Sequence, residues 1–156
     1  MNVPRLSHAP AGYLCPFCLL ISGQEHEALW STPDDIVWRD PQALVLIAAK
    51  QWPGTPGHVL VVPVPHHEHL YALPDTLGAH IHSLARRTAL AMKAAYGCEG
   101  VSTRQHNEPA GHQDVWHYHL HVFPRWTGDQ LYVTPGALMP ASERATYAQR
   151  LRTHFQ

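Results

Sequence analysis

Charge is scarce in this sequence. Asp, Glu, Lys and Arg together make 15% of it, and the net charge is -1 with histidine neutral. That leaves no basic field of the kind that announces a nucleic-acid partner, although a few placed donors would still hold a local phosphate. Long apolar runs are missing too. No stretch approaches the roughly eighteen apolar residues a membrane span needs, so no membrane partner is expected. The opening "MNVPRLSHAPAGYLCPFC" lacks the basic-then-apolar layout of a secretory signal, which makes a cytoplasmic location the expectation. Cysteine is limited to Cys15, Cys18 and Cys98, which excludes a disulfide framework.

What is present fits one globular domain. The chain has 156 residues, 45% of them apolar, enough for one core. Residues 36–39, 43–49 and 58–62 read as short strands, with turns at Asp40-Pro41 and Pro53-Gly54. In "PDTLGAHIHSLARRTALAMKAAYG", Leu77, Ile81, Leu84, Thr88, Ala91 and Ala95 recur at helical steps. Asp75 is the candidate N-cap and Gly97 the stop. Further strands are expected near 101–106 and 115–123, and a last helix on Ala141, Ala145, Ala148, Leu151 and Phe155. Strands, helix, strands, helix argues for an α+β fold with a largely antiparallel sheet.

Fourteen histidines are many for this length. Most read as surface or packing residues, including the His66-His67-Glu68-His69 run. "HYHLHVF" at 117–123 is different. Alternate strand residues share a face, so His117, His119 and His121 would form one row, with Tyr118, Leu120 and Val122 behind it. The row suits a metal site or a reaction centre equally. Cys15-Pro16-Phe17-Cys18 offers two thiolates at a spacing that suits zinc, short of two more ligands. A redox dithiol would need a preceding strand and a helix beginning at the motif, so metal is the preferred reading. In "PGHVLVVP", His58 opens an apolar strand and could join a site of two cysteines and two histidines.

This ordered set resembles the histidine triad superfamily, whose signature is His-φ-His-φ-His-φ-φ with φ apolar. "HVFPRW", "PGHVLVVP" and "CPFC" extend the likeness, the last to a zinc-bearing bacterial branch. The resemblance spans about residues 13–126, with about 127–156 as a C-terminal extension of a single domain, 1–156. It implies a small α+β nucleotide-binding fold, commonly a homodimer. It also implies cleavage at an α-phosphate, with His119 as nucleophile and a nucleotidyl-histidine intermediate. His121 and Gln113 would hold the phosphate, and Asn107 matches the phosphate-loop asparagine, with His106 as its competitor. Cys15, Cys18, His58 and His117 would close a structural zinc site, and no organic cofactor is expected.

The chain departs from that pattern in places. Lys50 stands where an acid or amide usually contacts ribose; an ammonium accepts no hydrogen bond, so it would favour an extra phosphate or, the preferred reading, point to solvent. His112 replaces the glycine before Gln113, and Val64 stands where lysine is common. Asp114 replaces the small or hydroxyl residue after Gln113; as a substrate-side residue it would orient water or a cationic leaving group, or else cap a nearby amide. Two other functions stay open on sequence: a non-catalytic nucleotide-binding homodimer, and a metalloenzyme using the histidine triplet around an open metal.

Overall fold

The computed structural model describes residues 6–131 and 133–155. In chain order these form α1 (Pro16–Ser22), β1 (Ile36–Arg39), β2 (Ala43–Ile47), β3 (Lys50–Gln51), β4 (Val59–Pro63), α2 (Asp75–Tyr96), β5 (Gly100–Gln105), β6 (Leu120–Arg125), β7 (Ala137–Leu138) and α3 (Ala141–Arg152), with three short 3-10 turns. The main sheet runs β1-β2-β4-β6-β5, antiparallel at every neighbour pair, and β3 pairs with β7 apart from it. The expected α+β class with an antiparallel sheet is what the chain forms.

The central strands are buried along their whole length, because the sheet is covered on both faces. Val45, Ile47, Val59, Val61 and Val122 pack against Ile81, Leu84 and Met92 of α2 and Leu151 of α3. Leu44, Leu46, Leu60 and Val62 point the other way, onto Cys15, Phe17 and Leu20. A strand with two buried faces loses polar alternation, and this explains the unbroken "ALVLI" and "VLVVP". The second face carries the cysteine pair: α1 lies on it, with Cys15 as its N-cap and Cys18 in its first turn.

Several boundaries differ from the sequence reading. α1 has no counterpart in it; with seven residues it shows too few turns for a period. Asp75 is the first residue of α2 and Pro74 the N-cap, so the carboxylate stabilises the positive end of the helix from its first turn. The chain ends its run at 47 and leaves for β3. β6 begins at Leu120, so His117 and His119 precede the ladder instead of lying within it. Their alternation survives: the Phe17 ring meets both His117 and His119, the His119 and His121 rings lie 5.0 Å apart, and Tyr118 is buried in the α2-side core.

Gly57 aims the strand that carries His58. Its φ is +89°, and a Cβ there would lie 2.7 Å from the Tyr96 ring. Both Gly57 and His58 donate their backbone N–H to the Gln51 side-chain oxygen, at 3.1 and 2.9 Å. At the other end of the molecule, buried Arg144 of α3 pairs with buried Asp35 at 2.9 Å and donates to the carbonyls of Trp30 and Met139. That ties the 30–35 segment, and with it Trp30, to the C-terminal helix.

Candidate functional site

The three histidines of the row have three different surroundings. His117 is fully buried. Its Nε2–H donates to the Pro63 carbonyl at 2.9 Å, which leaves Nδ1 as a bare lone pair. That nitrogen faces the Cys15 sulfur at 3.3 Å and the Cys18 sulfur at 3.6 Å. Cys18 Sγ in turn lies 3.2 Å from His66 Nδ1. Cys15, Cys18, His66 and His117 place one ligand atom each within 4.8 Å of one another, a grouping that includes neither His119 nor His121. Two soft thiols and two imidazoles match the donor set of a closed zinc site. The pinned Nε2–H is the outer hydrogen bond that fixes a ligating histidine. In the protein alone, burial and the neighbouring Cys15 push the Cys18 thiol up to about 12. Loading a cation there therefore means displacing thiol protons.

The structure does not bring His58 to this cluster; His66 stands there instead. The strand register gives the reason. β4 runs antiparallel to β6 with Val59 opposite Val122 and Val61 opposite Leu120. His58 therefore falls beside Phe123, with ring centroids 4.1 Å apart. His117 lies at the other end of the pairing, where β4 has just ended at Pro63 and the chain continues to His66. Six residues of extended chain separate the two ends, roughly 20 Å at about 3.4 Å per residue.

His119 is nearly enclosed. Its Nδ1–H donates to the His117 carbonyl at 2.7 Å, so Nε2 carries the lone pair. Phe17 sets an edge against both rings, 5.6 Å from His117 and 5.4 Å from His119. The His119 side opens on a cavity of 390 Å³ lined by Leu14, Phe17, Trp30, Trp52, Lys50 and Asp114, among others. That volume lies within the usual range for a small-molecule site.

His121 ends a chain of imidazoles. His58 Nδ1 lies 3.3 Å from the Lys50 carbonyl, which can only accept, so His58 carries its proton there. Its Nε2 is then an acceptor, and His121 Nδ1–H donates to it at 2.9 Å. The two rings are near-parallel, 11° apart. His121 Nε2 is left with a lone pair. Burial holds His58 down to about 3, and burial with the flanking His58 and His119 holds His121 well below the ordinary histidine value. Both are neutral at pH 7.

The loop before the row is braced on itself. The Gln113 side-chain oxygen accepts from the Glu108 N–H at 2.8 Å, and its amide donates to the carbonyls of Glu68 and Val115. Gln113 therefore holds the loop by three backbone groups. Asn107 likewise turns away, accepting from the Leu70 N–H at 2.8 Å and exchanging hydrogen bonds with Gln105. Its competitor His106 sits 5.9 Å from the His121 ring, with Nδ1–H on the Gly111 carbonyl. His112 takes φ 65°, a left-handed conformation that favours glycine, and Glu108 takes φ 65° as well. Asp114 places Oδ1 3.5 Å from His119 Nε2. Lys50 is exposed, with Nζ 5.7 Å from the Trp52 ring.

Sequence reasoning missed His66 and Phe17. His66 was hidden in a run of four polar residues, and only the β4 register singles it out. Phe17 stands between the two cysteines, and nothing in the spacing says that a helix turns it towards the triplet.

A family model of the HIT domain matches residues 31–128, well over half of the chain. Among relatives, "Protein hit" of Bacillus subtilis is 30% identical over 112 residues, 72% of this chain and 71% of that one. The adenosine 5'-monophosphoramidase of Saccharomyces cerevisiae is 33% identical over 73 residues, 47% of this chain and 44% of its own. The crystal structure of a zinc-bound histidine triad family protein from Mycobacterium smegmatis superposes with a TM-score of 0.75. It is 28% identical and covers 90% of this chain and 92% of that one. Sheet order, histidine row and these matches agree, and the chain belongs to the HIT, or histidine triad, family.

Proposed function

We propose that the protein is a nucleotide hydrolase or nucleotidyl transferase that works through a covalent nucleotidyl-histidine on His119. The observation that carries this reading is the pinned Nδ1–H of His119, which turns a neutral Nε2 lone pair towards the 390 Å³ cavity. Attack by that nitrogen on an α-phosphorus forms the N–P bond as the leaving group departs. The imidazole becomes cationic, and the His117 carbonyl stabilises it through the same hydrogen bond. Water or another acceptor then takes the nucleotidyl group. The apolar walls at Leu14, Phe17, Trp30 and Trp52 suit a nucleobase.

His121 presents a lone pair, so it meets a phosphate oxygen as a donor only after taking a proton. An incoming anionic phosphoryl group supplies the charge that makes this favourable. A preorganised donor of that kind contributes roughly 3–4 kcal/mol to the barrier. Gln113 contributes by bracing the loop, and His106 is better placed than Asn107 to reach the same phosphate.

Zinc would sit on Cys15, Cys18, His66 and His117 and cross-link α1 to the segment entering β6. With four protein ligands it supplies structure, and no open position for substrate. The zinc-bound relative supports this reading. The family's common homodimer is the assembly we expect, and sedimentation of the purified chain tests it.

A binding-only role is the second reading, supported by the engagement of Gln113 with backbone carbonyls instead of an open phosphate place. The deciding experiment offers a panel of adenylyl and guanylyl conjugates, quenches with acid and weighs the intact protein. A mass increase of one nucleotidyl group supports the enzyme. Tight mononucleotide binding with neither turnover nor adduct supports the binder.

A further inference from the structure

We propose that Asp114 selects substrates by the charge of the leaving group, favouring nucleotide conjugates whose leaving group carries a cation and disfavouring those whose leaving group is anionic. This rests on the reading of His119 as nucleophile.

Asp114 and Lys50 are the two side chains of ordinary fixed charge among the residues lining the cavity. Asp114 places Oδ1 3.5 Å from His119 Nε2, whereas the Lys50 Nζ lies over the Trp52 ring at 5.7 Å. A phosphorus poised for attack stands at about the same distance, 3–3.5 Å. Carboxylate and phosphoryl group therefore claim the same place, and the carboxylate must turn aside when substrate enters. It is free to do so: its side chain is 74% exposed, against 3% for His119. It cannot go far, because Gln113, its neighbour in the chain, is fixed to three backbone groups. The displaced carboxylate stays at the mouth, beside the reacting phosphorus.

The carboxylate is charged there. The neighbouring His119 imidazole is the main cause holding its pKa below the usual carboxylate range, and the Lys50 ammonium adds a smaller pull in the same direction. In-line displacement puts the leaving group opposite the attacking nitrogen, facing away from the buried row and out through the mouth. A polyphosphate leaving group passes a like charge, and an ammonium-bearing one passes an opposite charge. Unit charges about 5 Å apart alter a rate by a few-fold in water-like surroundings and by roughly a hundredfold or more when half shielded. An exposed carboxylate in physiological salt belongs near the lower end, about tenfold.

For an amine leaving group the bonds balance as follows. The Nε2 lone pair forms the N–P bond. The P–N bond to the amine breaks, and its electron pair stays on that nitrogen, which takes a proton from solvent. Water then adds to phosphorus, the N–P bond to His119 breaks with its pair returning to the ring, and a proton goes back to solvent. The products are a free amine and a nucleoside monophosphate.

The test uses three nucleoside 5'-phosphoramidates, in adenosine and guanosine forms, whose leaving amines have one length but end in ammonium, hydroxyl or carboxylate. In the unaltered protein, kcat/KM should fall in that order. Asp114→Asn should shrink the cation-to-anion ratio by about tenfold, and Asp114→Lys should invert the preference. High salt should shrink the ratio in the unaltered protein and leave the asparagine variant's ratio in place. Taking ratios within each variant removes differences in folded fraction, and comparing those ratios between variants removes differences in intrinsic amine reactivity. Turnover of all three probes with a ratio indifferent to residue 114 overturns this inference alone. Turnover of none of the three overturns this inference, and it overturns the proposed function too where the wider panel of adenylyl and guanylyl conjugates also gives neither turnover nor adduct.

Discussion

The two ends of the histidine row lie four residues apart in sequence and have opposite surroundings. At the His117 end the neighbours are two thiols and an imidazole nitrogen, all within 4.8 Å of one another. At the His119–His121 end the neighbours are a carbonyl, another histidine and an open cavity. The sequence pattern is the same throughout; what differs is which element reaches each position. α1 and the chain leaving β4 converge on His117, whereas β3 and the start of β4 converge on His121. The lesson is that an evenly spaced row is not one site. The link between the halves is short: the carbonyl of His117, beside the thiols, accepts the Nδ1–H of His119, beside the cavity. Phe17 touches both rings.

The sharpest way to separate the halves is to remove one histidine from each. His119→Ala should lower kcat/KM by roughly 10⁵- to 10⁶-fold, as removing an enzyme's nucleophile does, with zinc content unchanged; steady-state kinetics and metal analysis check it. Cys15→Ser should do the converse. Zinc retention should be lost and thermal unfolding should move down by roughly 10 °C, as loss of a structural cross-link in a domain of this size predicts. Scanning calorimetry with and without a chelator reads it.

His66 and His58 sharpen the comparison further. His66→Ala should weaken zinc binding by more than roughly 100-fold, beyond the usual effect of losing an outer-sphere partner. His58→Ala should keep the zinc. It leaves His121 Nδ1–H without its acceptor, at about 1–3 kcal/mol, which would appear as a tenfold to hundredfold loss of turnover. Competition with a chromogenic chelator, run on both variants beside the activity assay, distinguishes them. If the two variants behave alike, the division of the row fails.

The smallest effect is on stability against pH. Burial holds His58 down to about 3 and His117 to about 4, against an ordinary 6.5. Below pH 6.5 the unfolded chain binds protons that the folded chain refuses. Stability of the metal-free protein should therefore fall as pH drops from 6.5 towards 4, by up to about 1.4 kcal/mol per pH unit for each histidine. Above 6.5 these two groups give no slope. Urea midpoints across that range should show a shallower decline in His58→Gln.

Much of this was legible in the sequence, for identifiable reasons. The α2 face could be read because Leu77, Ile81 and Leu84 sit at helical steps and all face the core. The histidine row could be read from its period of two, which survives even where no ladder forms. The partner of the thiols could not, because it depends on register. A strand that starts at Val59 and pairs with Val122 carries His58 away from His117, and no local pattern encodes that pairing. The bracing role of Gln113 was hidden for the same reason, since one of its acceptors, the Glu68 carbonyl, comes from a distant part of the chain. The glycine-to-histidine change at His112 was visible, and its left-handed φ explains why a glycine would suit the position.

The most direct test of the divided row is to locate the trapped adduct. Zinc-loaded protein is mixed with a turned-over nucleotide conjugate, quenched within milliseconds, digested, and the peptide spanning His117 to His121 is fragmented under conditions that preserve the N–P bond. The account predicts the nucleotidyl mass on His119, with unmodified His117 and His121 in the same peptide. An adduct on His117 or His121 would contradict it.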